Sequence, residues 1–283
     1  MIFSVDFEEW YNLLGYSDAF NKNWDSYDGF IPDITDDLLD LLDELEIIGL
    51  FFVLGNVAEK YPDEIRKIAQ RGHMIGSHGY NHDLVFELSR NEFYSDVERS
   101  LTILQGIIGY RPFWYRAPGF SVNEQTPWFY DVLAELGIRY DSSLSQVNRG
   151  YGGNLFKGRK SSNRLFNGQT NRRLTILVSI GIITVIPVAT DIYKKVLFGG
   201  GYFRILPLFI LNMLFNNKQH TETFFYIHPR DLYIGRNENV SISLIHSLRS
   251  NFGRLGSKNK LKKLMKNMLF TSPWDIDDAN HEL

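Results

Sequence analysis

Two histidines four residues apart, His78 and His82 in the segment SHGYNH, have the spacing of a metal-binding pair. On one helical turn, side chains at positions i and i+4 face the same direction, so both imidazoles could bind one ion. Such spacing also occurs by chance among surface and capping histidines. The position of this pair after a predicted strand, at the end where barrel folds carry their chemistry, favours metal binding.

Acidic residues at the end of the first predicted strand, VDFEEW, could complete such a site. Strand side chains alternate between faces, so Asp6 and Glu8 project to one face and Glu9 projects to the other. Two carboxylates on one face can divide the work, with one bound to a metal and the other free as a base. A solvated strand end is the simpler interpretation, but Phe7 and Trp10 beside the acids indicate a partly dry setting, where an unpaired carboxylate is costly.

Three further residues stand at the ends of later predicted strands. Arg116, in WYRAPGF, could hold a carboxylate ionised through a bidentate pair. His228, in FFYIHPRD, suits a general acid because the pKa of histidine lies near neutrality, although a hydrogen-bonded rim histidine is the alternative. Asp141, in RYDSSL, is a candidate to orient His228.

Composition excludes several kinds of site. The 283 residues include no cysteine, so any metal must be bound by His, Asp or Glu. The formal net charge of −3 argues against a general nucleic-acid binder, which needs a basic surface. The segment MIFSVDFEEW lacks the basic start of a secretory signal, so we expect a cytoplasmic protein.

The elements that must position these residues alternate between strand and helix. Apolar runs predict strands, and leucines at helical spacing, as at positions 38, 41, 42 and 45, predict the helices between them. The predicted strands cover residues 2–7, 50–54, 74–77, 113–116, 138–141, 182–188 and 223–228. Repeated alternation indicates a parallel sheet, so the sequence predicts an α/β fold.

Two segments depart from this pattern within a predicted single catalytic domain, residues 1–283. Residues 149–173 contain seven Lys or Arg and no acid, which indicates a basic excursion between the fifth and sixth strands. Residues 254–270 have Leu and Met at helical spacing with lysines between them, typical of a basic amphipathic helix. The apolar stretch 174–189 is short for a membrane span and is interrupted by Gly and Pro, which favours two buried strands.

Taken in order, these segments resemble the motifs of the NodB-type polysaccharide deacetylases, carbohydrate esterase family 4. VDFEE stands at the paired acidic motif, HGYNH at the two-histidine metal motif, RAPG at the arginine motif, YDSS at the fourth motif and FYIHP at the histidine motif. The resemblance implies a deformed (β/α) barrel of about seven parallel strands. PVATDIY and GGGYFRILP are similar to a bacterial subgroup associated with exopolysaccharide and lipopolysaccharide gene clusters.

The resemblance also implies roles for the candidate residues. Asp6 would be the catalytic base, Arg116 its partner and His228 the general acid. The ligands of a divalent metal, zinc in the first instance, would be Glu8, His78 and His82. The chain departs from the family in the phenylalanine between its two acids, in having glutamate as the second acid, and in lacking an aromatic residue between the proline and glycine of RAPG.

The sequence therefore predicts a metal-dependent deacetylase that removes the N-acetyl group of an amino sugar in a surface glycan or its precursor. A barrel amidase acting on a small non-peptide amide and a non-catalytic carbohydrate-binding protein are the alternatives. The lysines at 258, 260, 262, 263 and 266 could attach the C-terminal helix weakly to anionic lipid at the inner membrane. Packing of that helix on the barrel is the simpler interpretation.

Overall fold

The computed structural model describes residues 1–12, 24, 27–123, 125–144, 173–188, 199–215, 223–235, 252–266 and 268–276. Within these ranges, eight strands form one sheet in the order β6-β7-β5-β4-β3-β2-β1-β8. The strands are β1 (Ile2–Phe7), β2 (Leu50–Val53), β3 (Met74–Ser77), β4 (Trp114–Tyr115), β5 (Tyr140–Asp141), β6 (Leu174–Val178), β7 (Gly181–Val185) and β8 (Phe224–Ile227). The helices are α1 (Ile31–Glu44), α2 (Gly55–Lys60), α3 (Pro62–Gln70), α4 (Arg90–Ile108), α5 (Phe129–Glu135), α6 (Gly200–Ile205), α7 (Leu208–Phe215) and α8 (Ser257–Met265).

The sheet curls into a deformed barrel. Its neighbouring strands all pair in parallel except at the edge, where β6 pairs antiparallel with β7 in a hairpin. A parallel bridge between Val188 and Phe224 joins the segment after β7 to β8, which brings the two sides of the sheet together. The predicted barrel is therefore confirmed, and seven of its strands overlap the seven predicted ranges. The eighth strand, β6, lies in the apolar stretch 174–189, which was predicted to form two strands.

The β6–β7 hairpin occupies the apolar stretch predicted as two buried strands. Ile183 and Val185 are buried, whereas Leu177 is 79% and Ile182 is 58% exposed. The hairpin lies at the edge of the sheet and packs one face on α5, so its other face remains open. The prediction of two buried strands is therefore wrong for the outer face of the hairpin. In the part of the chain that the structure describes, no helix has the length and apolar character to cross a membrane.

Strand alternation separates an outer core from the barrel interior. On β1, Phe3 belongs to the cluster between the sheet and the helices, whereas Ile2 packs in a separate cluster with Trp114 of β4. Because the period is two residues, Ser4 and Asp6 share the face of Ile2. The barrel interior is therefore apolar near the start of β1 and polar toward the carboxyl ends of the strands.

The C-terminal basic segment forms the predicted helix, which packs on the barrel. The apolar stripe of α8 is buried in the main core and consists of Leu261, Leu264 and Met265. Two of its lysines pair with acids of α1, Lys258 with Asp37 at 3.1 Å and Lys262 with Glu44. The predicted basic excursion at 149–173 lies outside the described residues except for its last position.

Candidate metal centre and active site

The acidic residues at the end of β1 lie on opposite faces of the strand. Asp6 and Glu8 are buried at the carboxyl end of the barrel interior. Glu9 instead turns toward α1, where its carboxylate accepts the backbone N–H groups of Phe30 at 3.1 Å and Ile31 at 2.9 Å. Glu9 therefore satisfies the open N–H groups at the start of a helix and takes no part in the site.

Glu8, His78 and His82 form a buried cluster whose ligand atoms all lie within 4.8 Å of one another. Nε2 of His82 is 2.9 Å from Oε2 of Glu8. Nδ1 of His78 is 2.7 Å from the backbone carbonyl oxygen of Arg116. Because a carbonyl oxygen only accepts, Nδ1 of His78 carries the proton, and Nε2 keeps the lone pair that a metal needs.

A loop, and not a helical turn, brings the two histidines together. Residues 78–83 follow β3 without helical structure, and both Gly79 (φ 78°) and His82 (φ 57°) are left-handed. Asp96 of α4 fixes the loop by accepting the backbone N–H of Tyr80 at 2.8 Å. The predicted helical turn is therefore wrong. A left-handed histidine is a strained conformation of the kind that concentrates at functional sites.

Burial and charge set the ionisation of the cluster. Burial lowers the pKa of His78 to about 4. Burial alone would raise the pKa of Glu8, but the imidazoles of His82, His228 and His78 outweigh that effect and lower this pKa to about 2. Near pH 7 the cluster thus combines a neutral imidazole with an ionised carboxylate, the protonation states in which these side chains bind metal ions.

The donor set fits a divalent ion such as zinc. Two imidazole nitrogens and one carboxylate oxygen are typical protein ligands of catalytic zinc and leave a position for water or substrate. Nδ1 of His82 is buried and has no hydrogen-bond partner within the described ranges, so this imidazole has a nitrogen uncommitted to the protein. The residues present can therefore hold such an ion.

Asp6 lies beside this cluster and is held by Arg116. Nη1 of Arg116 is 2.6 Å from Oδ1 of Asp6, and Nη2 donates to the Ser142 hydroxyl at 2.9 Å. The guanidinium is fully buried and lies over the ring of Phe52 at 4.1 Å from its centroid. The predicted pairing of Arg116 with Asp6 is present. It engages one carboxylate oxygen, while Oδ2 lies 4.0 Å from Nε2 of His228.

His228 closes the site from the end of β8. Its Nε2 is 3.6 Å from Oε1 of Glu8, and its Nδ1 is 3.2 Å from Oδ2 of Asp231. That same Asp231 oxygen accepts the backbone N–H of His228 at 2.9 Å. Burial by itself would lower the pKa of His228, but the hydrogen bond to Asp231 and the charge of Glu8 outweigh burial and raise the pKa. The protonated form, which can donate from Nε2, is therefore favoured.

Asp141 does not orient His228, which corrects the prediction. Asp141 is fully buried, and both the hydroxyl and the backbone N–H of Ser143 donate to its carboxylate. The Ser143 hydroxyl in turn accepts the N–H of Ala117 at 2.8 Å, so these contacts support the loop after β4. Asp231, three residues after His228, is the partner that the sequence analysis missed. The segment HPRD, in which an aspartate follows the histidine by three residues, is the feature of the sequence that could have indicated this partner.

Two family models match successive parts of the chain. One described as polysaccharide deacetylase matches residues 20–140, and one described as a domain of unknown function, DUF3473, matches residues 151–278. The first match includes His78, His82 and Arg116, whereas the second includes His228 and Asp231. Residues of both regions therefore meet in one site.

Curated relatives match over part of their length. The peptidoglycan-N-acetylglucosamine deacetylase of Bacillus cereus is 33% identical over 143 residues, which are 46% of this chain and 50% of that protein. The peptidoglycan-N-acetylmuramic acid deacetylase PdaC of Bacillus subtilis is 32% identical over 98 residues, 35% of this chain and 21% of that protein. The chain thus spans half or less of the length of these two relatives.

Solved structures share the fold. A candidate polysaccharide deacetylase from Mycobacterium smegmatis has a TM-score of 0.63 and 19% identity, covering 98% of this chain and 89% of that chain. A pseudoenzyme of the CE4 family from Bacillus anthracis has a TM-score of 0.50 and 11% identity, covering 96% and 63%. At these identities the likeness concerns the fold alone. Residues 20–140 are thus similar to the polysaccharide deacetylases in sequence, the curated relatives match over part of their length, and the solved structures share the fold.

Proposed function

We propose that the chain is a metal-dependent deacetylase that hydrolyses the N-acetyl group of an amino sugar in a glycan, with zinc as its metal. One observation carries the proposal: the ligand cluster of Glu8, His78 and His82 lies beside two groups suited to proton transfer, Asp6 and His228. The curated relatives support this reaction class, because their names describe removal of acetyl groups from peptidoglycan sugars.

The chain's own residues divide the proton transfers. When bound, the ion supplies Lewis acidity that polarises the acetamide carbonyl and makes water more acidic. Arg116 holds Oδ1 of Asp6, and the carboxylate takes the proton of the attacking water. Nε2 of His228 donates a proton to the departing amine nitrogen. The new carbon–oxygen bond replaces the carbon–nitrogen bond, and acetate and a free amino sugar leave.

We further propose that the substrate is a sugar of a surface glycan or of its precursor. The N-acetylglucosamine and N-acetylmuramic acid named for the two relatives are the first sugars to test. The similarity of GGGYFRILP to the exopolysaccharide and lipopolysaccharide subgroup supports a wider panel of surface glycans. A cytoplasmic location is part of this proposal, and cell fractionation tests it.

Acetate release and loss of an acetyl group by mass spectrometry test the function directly. Acetylated oligosaccharides, peptidoglycan fragments and small linear or cyclic amides are compared, with the metal removed by chelation and then restored as zinc. We expect turnover of an acetylated sugar that stops on chelation and returns with zinc. Turnover of the small amides alone would identify an amidase. Zinc binding without turnover of any acetylated glycan would identify a non-catalytic carbohydrate-binding protein.

A further inference from the structure

A buried arginine lies behind the Asp231–His228 pair. Arg204 of α6 has a side chain that is 3% exposed, and its Nε is 2.7 Å from Oδ1 of Asp231. The contact is an ion pair in which the two atoms are close without the alignment of a hydrogen bond. The other oxygen of Asp231 faces Nδ1 of His228 at 3.2 Å. The buried carboxylate is thus compensated by a cation on one side and the imidazole on the other.

Close backbone contacts hold α6 at the distance that this ion pair requires. Gly199, directly before α6, forms a parallel bridge with Tyr226 of β8. A Cβ atom on Gly199 would lie 1.9 Å from the Tyr226 carbonyl oxygen, and its φ of 144° also disfavours other residues. At the far end of α6, Lys260 donates to the Arg204 carbonyl at 3.0 Å. Both ends of the helix are therefore anchored.

The turn that carries Asp231 is fixed from the C-terminal segment. The Ser257 hydroxyl, at the start of α8, donates to the Asp231 carbonyl at 2.7 Å. Nη1 of Arg204 donates to the Phe252 carbonyl at 3.0 Å. All these residues lie within 151–278, the region that matches the domain of unknown function. This region therefore surrounds the side of His228 that faces away from Asp6 and Glu8.

We propose that Arg204 and Asp231 are positioning residues for His228, and that holding this histidine is what the described part of the domain of unknown function contributes to the site. Asp231 accepts a hydrogen bond from Nδ1–H of His228, and this bond directs Nε2 toward the carboxylates of Asp6 and Glu8. Arg204 keeps the Asp231 carboxylate in place. The GGGYFR segment contributes two of these contacts. Its first glycine, Gly199, allows the start of α6 to lie close to β8, and its arginine, Arg204, forms the ion pair with Asp231. This inference rests on the proposed function.

The test compares Asp231→Asn and Arg204→Met with Arg254→Met as a matched control, each in the full zinc-loaded chain. Arg254 is a buried arginine of the same region, but its Nε donates to the Tyr233 carbonyl at 2.8 Å. For both test variants we expect kcat to fall roughly tenfold or more, with KM within about twofold and zinc content unchanged. The control should lose thermal stability and keep its kcat.

Two further measurements keep the test decisive. If Arg204→Met does not fold, Arg204→Lys replaces it, and its kcat should also fall because lysine lacks the fork that reaches both Asp231 and the Phe252 carbonyl. Imidazole NMR reads the His228 Nδ1–H signal independently of turnover. We expect a slowly exchanging low-field proton in the wild type that weakens or disappears in both test variants.

The outcomes separate the two proposals. A wild-type chain that shows the Nδ1–H signal but deacetylates nothing would overturn the proposed function and leave the positioning of the ring intact. Turnover by the wild type, with kcat retained in Asp231→Asn and Arg204→Met, would overturn the positioning. An equal fall of kcat in Arg254→Met would also overturn it, since the effect would then be general loss of packing.

Discussion

The buried carboxylate and imidazoles at the end of β1 and after β3 give the most direct test of metal binding. We predict that His82→Ala and Glu8→Ala lose most bound zinc and turnover, because each removes one of three protein ligands. Glu9→Ala is the matched control on the opposite face of the strand. It should keep zinc but lower the free energy of unfolding by about 1–3 kcal/mol, because N–H groups at the start of α1 lose their acceptor.

Metal analysis and urea unfolding distinguish these outcomes. Calorimetric titration with zinc gives the affinity of each variant, and circular dichroism verifies that the fold persists. Loss of zinc in Glu9→Ala with retention in Glu8→Ala would contradict the assignment of faces along β1.

The Asp6 carboxylate can be neutralised without changing its shape. We predict that Asp6→Asn retains zinc and loses turnover by roughly 10²–10⁴-fold, because the amide does not accept a proton as a base does. Arg116 keeps a partner, since the amide oxygen can still accept from its guanidinium. Steady-state kinetics beside zinc stoichiometry measure the effect. Comparable loss of zinc would make Asp6 a ligand.

Among the elements, β2 and β3 are joined at their starts by a buried histidine whose titration can be measured. Nδ1 of His73 accepts the backbone N–H of Gly49 at 3.1 Å, and burial lowers the His73 pKa from 6.5 to about 4. Between these values the unfolded chain holds a proton that the folded chain lacks. The free energy of unfolding should therefore fall as the pH falls from 6.5 to 4, by at most about 3 kcal/mol from this group.

His73→Asn isolates that contribution, because asparagine keeps an acceptor for the Gly49 N–H and does not titrate. Urea unfolding of both chains across this pH range should give a shallower slope for the variant. Parallel curves would show that His73 is not responsible.

The contacts of α8 limit what its lysines can do at a membrane. Lys258 and Lys262 pair with acids of α1, and Lys260 donates to the Arg204 carbonyl. We therefore predict weak, purely electrostatic sedimentation with anionic vesicles at low salt, lost as salt is added. It should disappear when glutamine replaces Lys258, Lys260, Lys262, Lys263 and Lys266. No sedimentation at low salt would leave α8 as a packing element.

At the scale of the whole molecule, one sheet joins the regions that match two families. β7, in the second matched region, pairs with β5 at the end of the first, and β8 pairs with β1, which precedes the first match, so the backbone hydrogen bonds of the sheet join all parts of the chain that carry it. We predict one cooperative thermal transition in which the calorimetric and van't Hoff enthalpies agree. A chain ending at residue 144 should show no such transition. Two transitions in the full chain would contradict a single domain.

Local patterns in the sequence were sufficient to locate seven strands and most residues of the site. Side-chain alternation along a strand and the common direction of parallel strands both follow from backbone geometry. Residues at the carboxyl ends of the strands must therefore lie together at one end of the barrel. Asp6, Arg116 and His228 could be placed together on that basis. The same reasoning separates Glu8 from Glu9, because neighbouring positions face opposite sides.

Tertiary structure decided the features that depend on contacts between distant segments. The left-handed conformation of His82 belongs to a loop that Asp96 of α4 holds, and the spacing of two histidines says nothing about that support. Asp231, and not Asp141, partners His228, because the turn after β8 folds back on the histidine. One face of β6–β7 stays exposed because the hairpin lies at the sheet edge. Each outcome depends on how elements pack, whereas a local pattern reports only which side chains share a face.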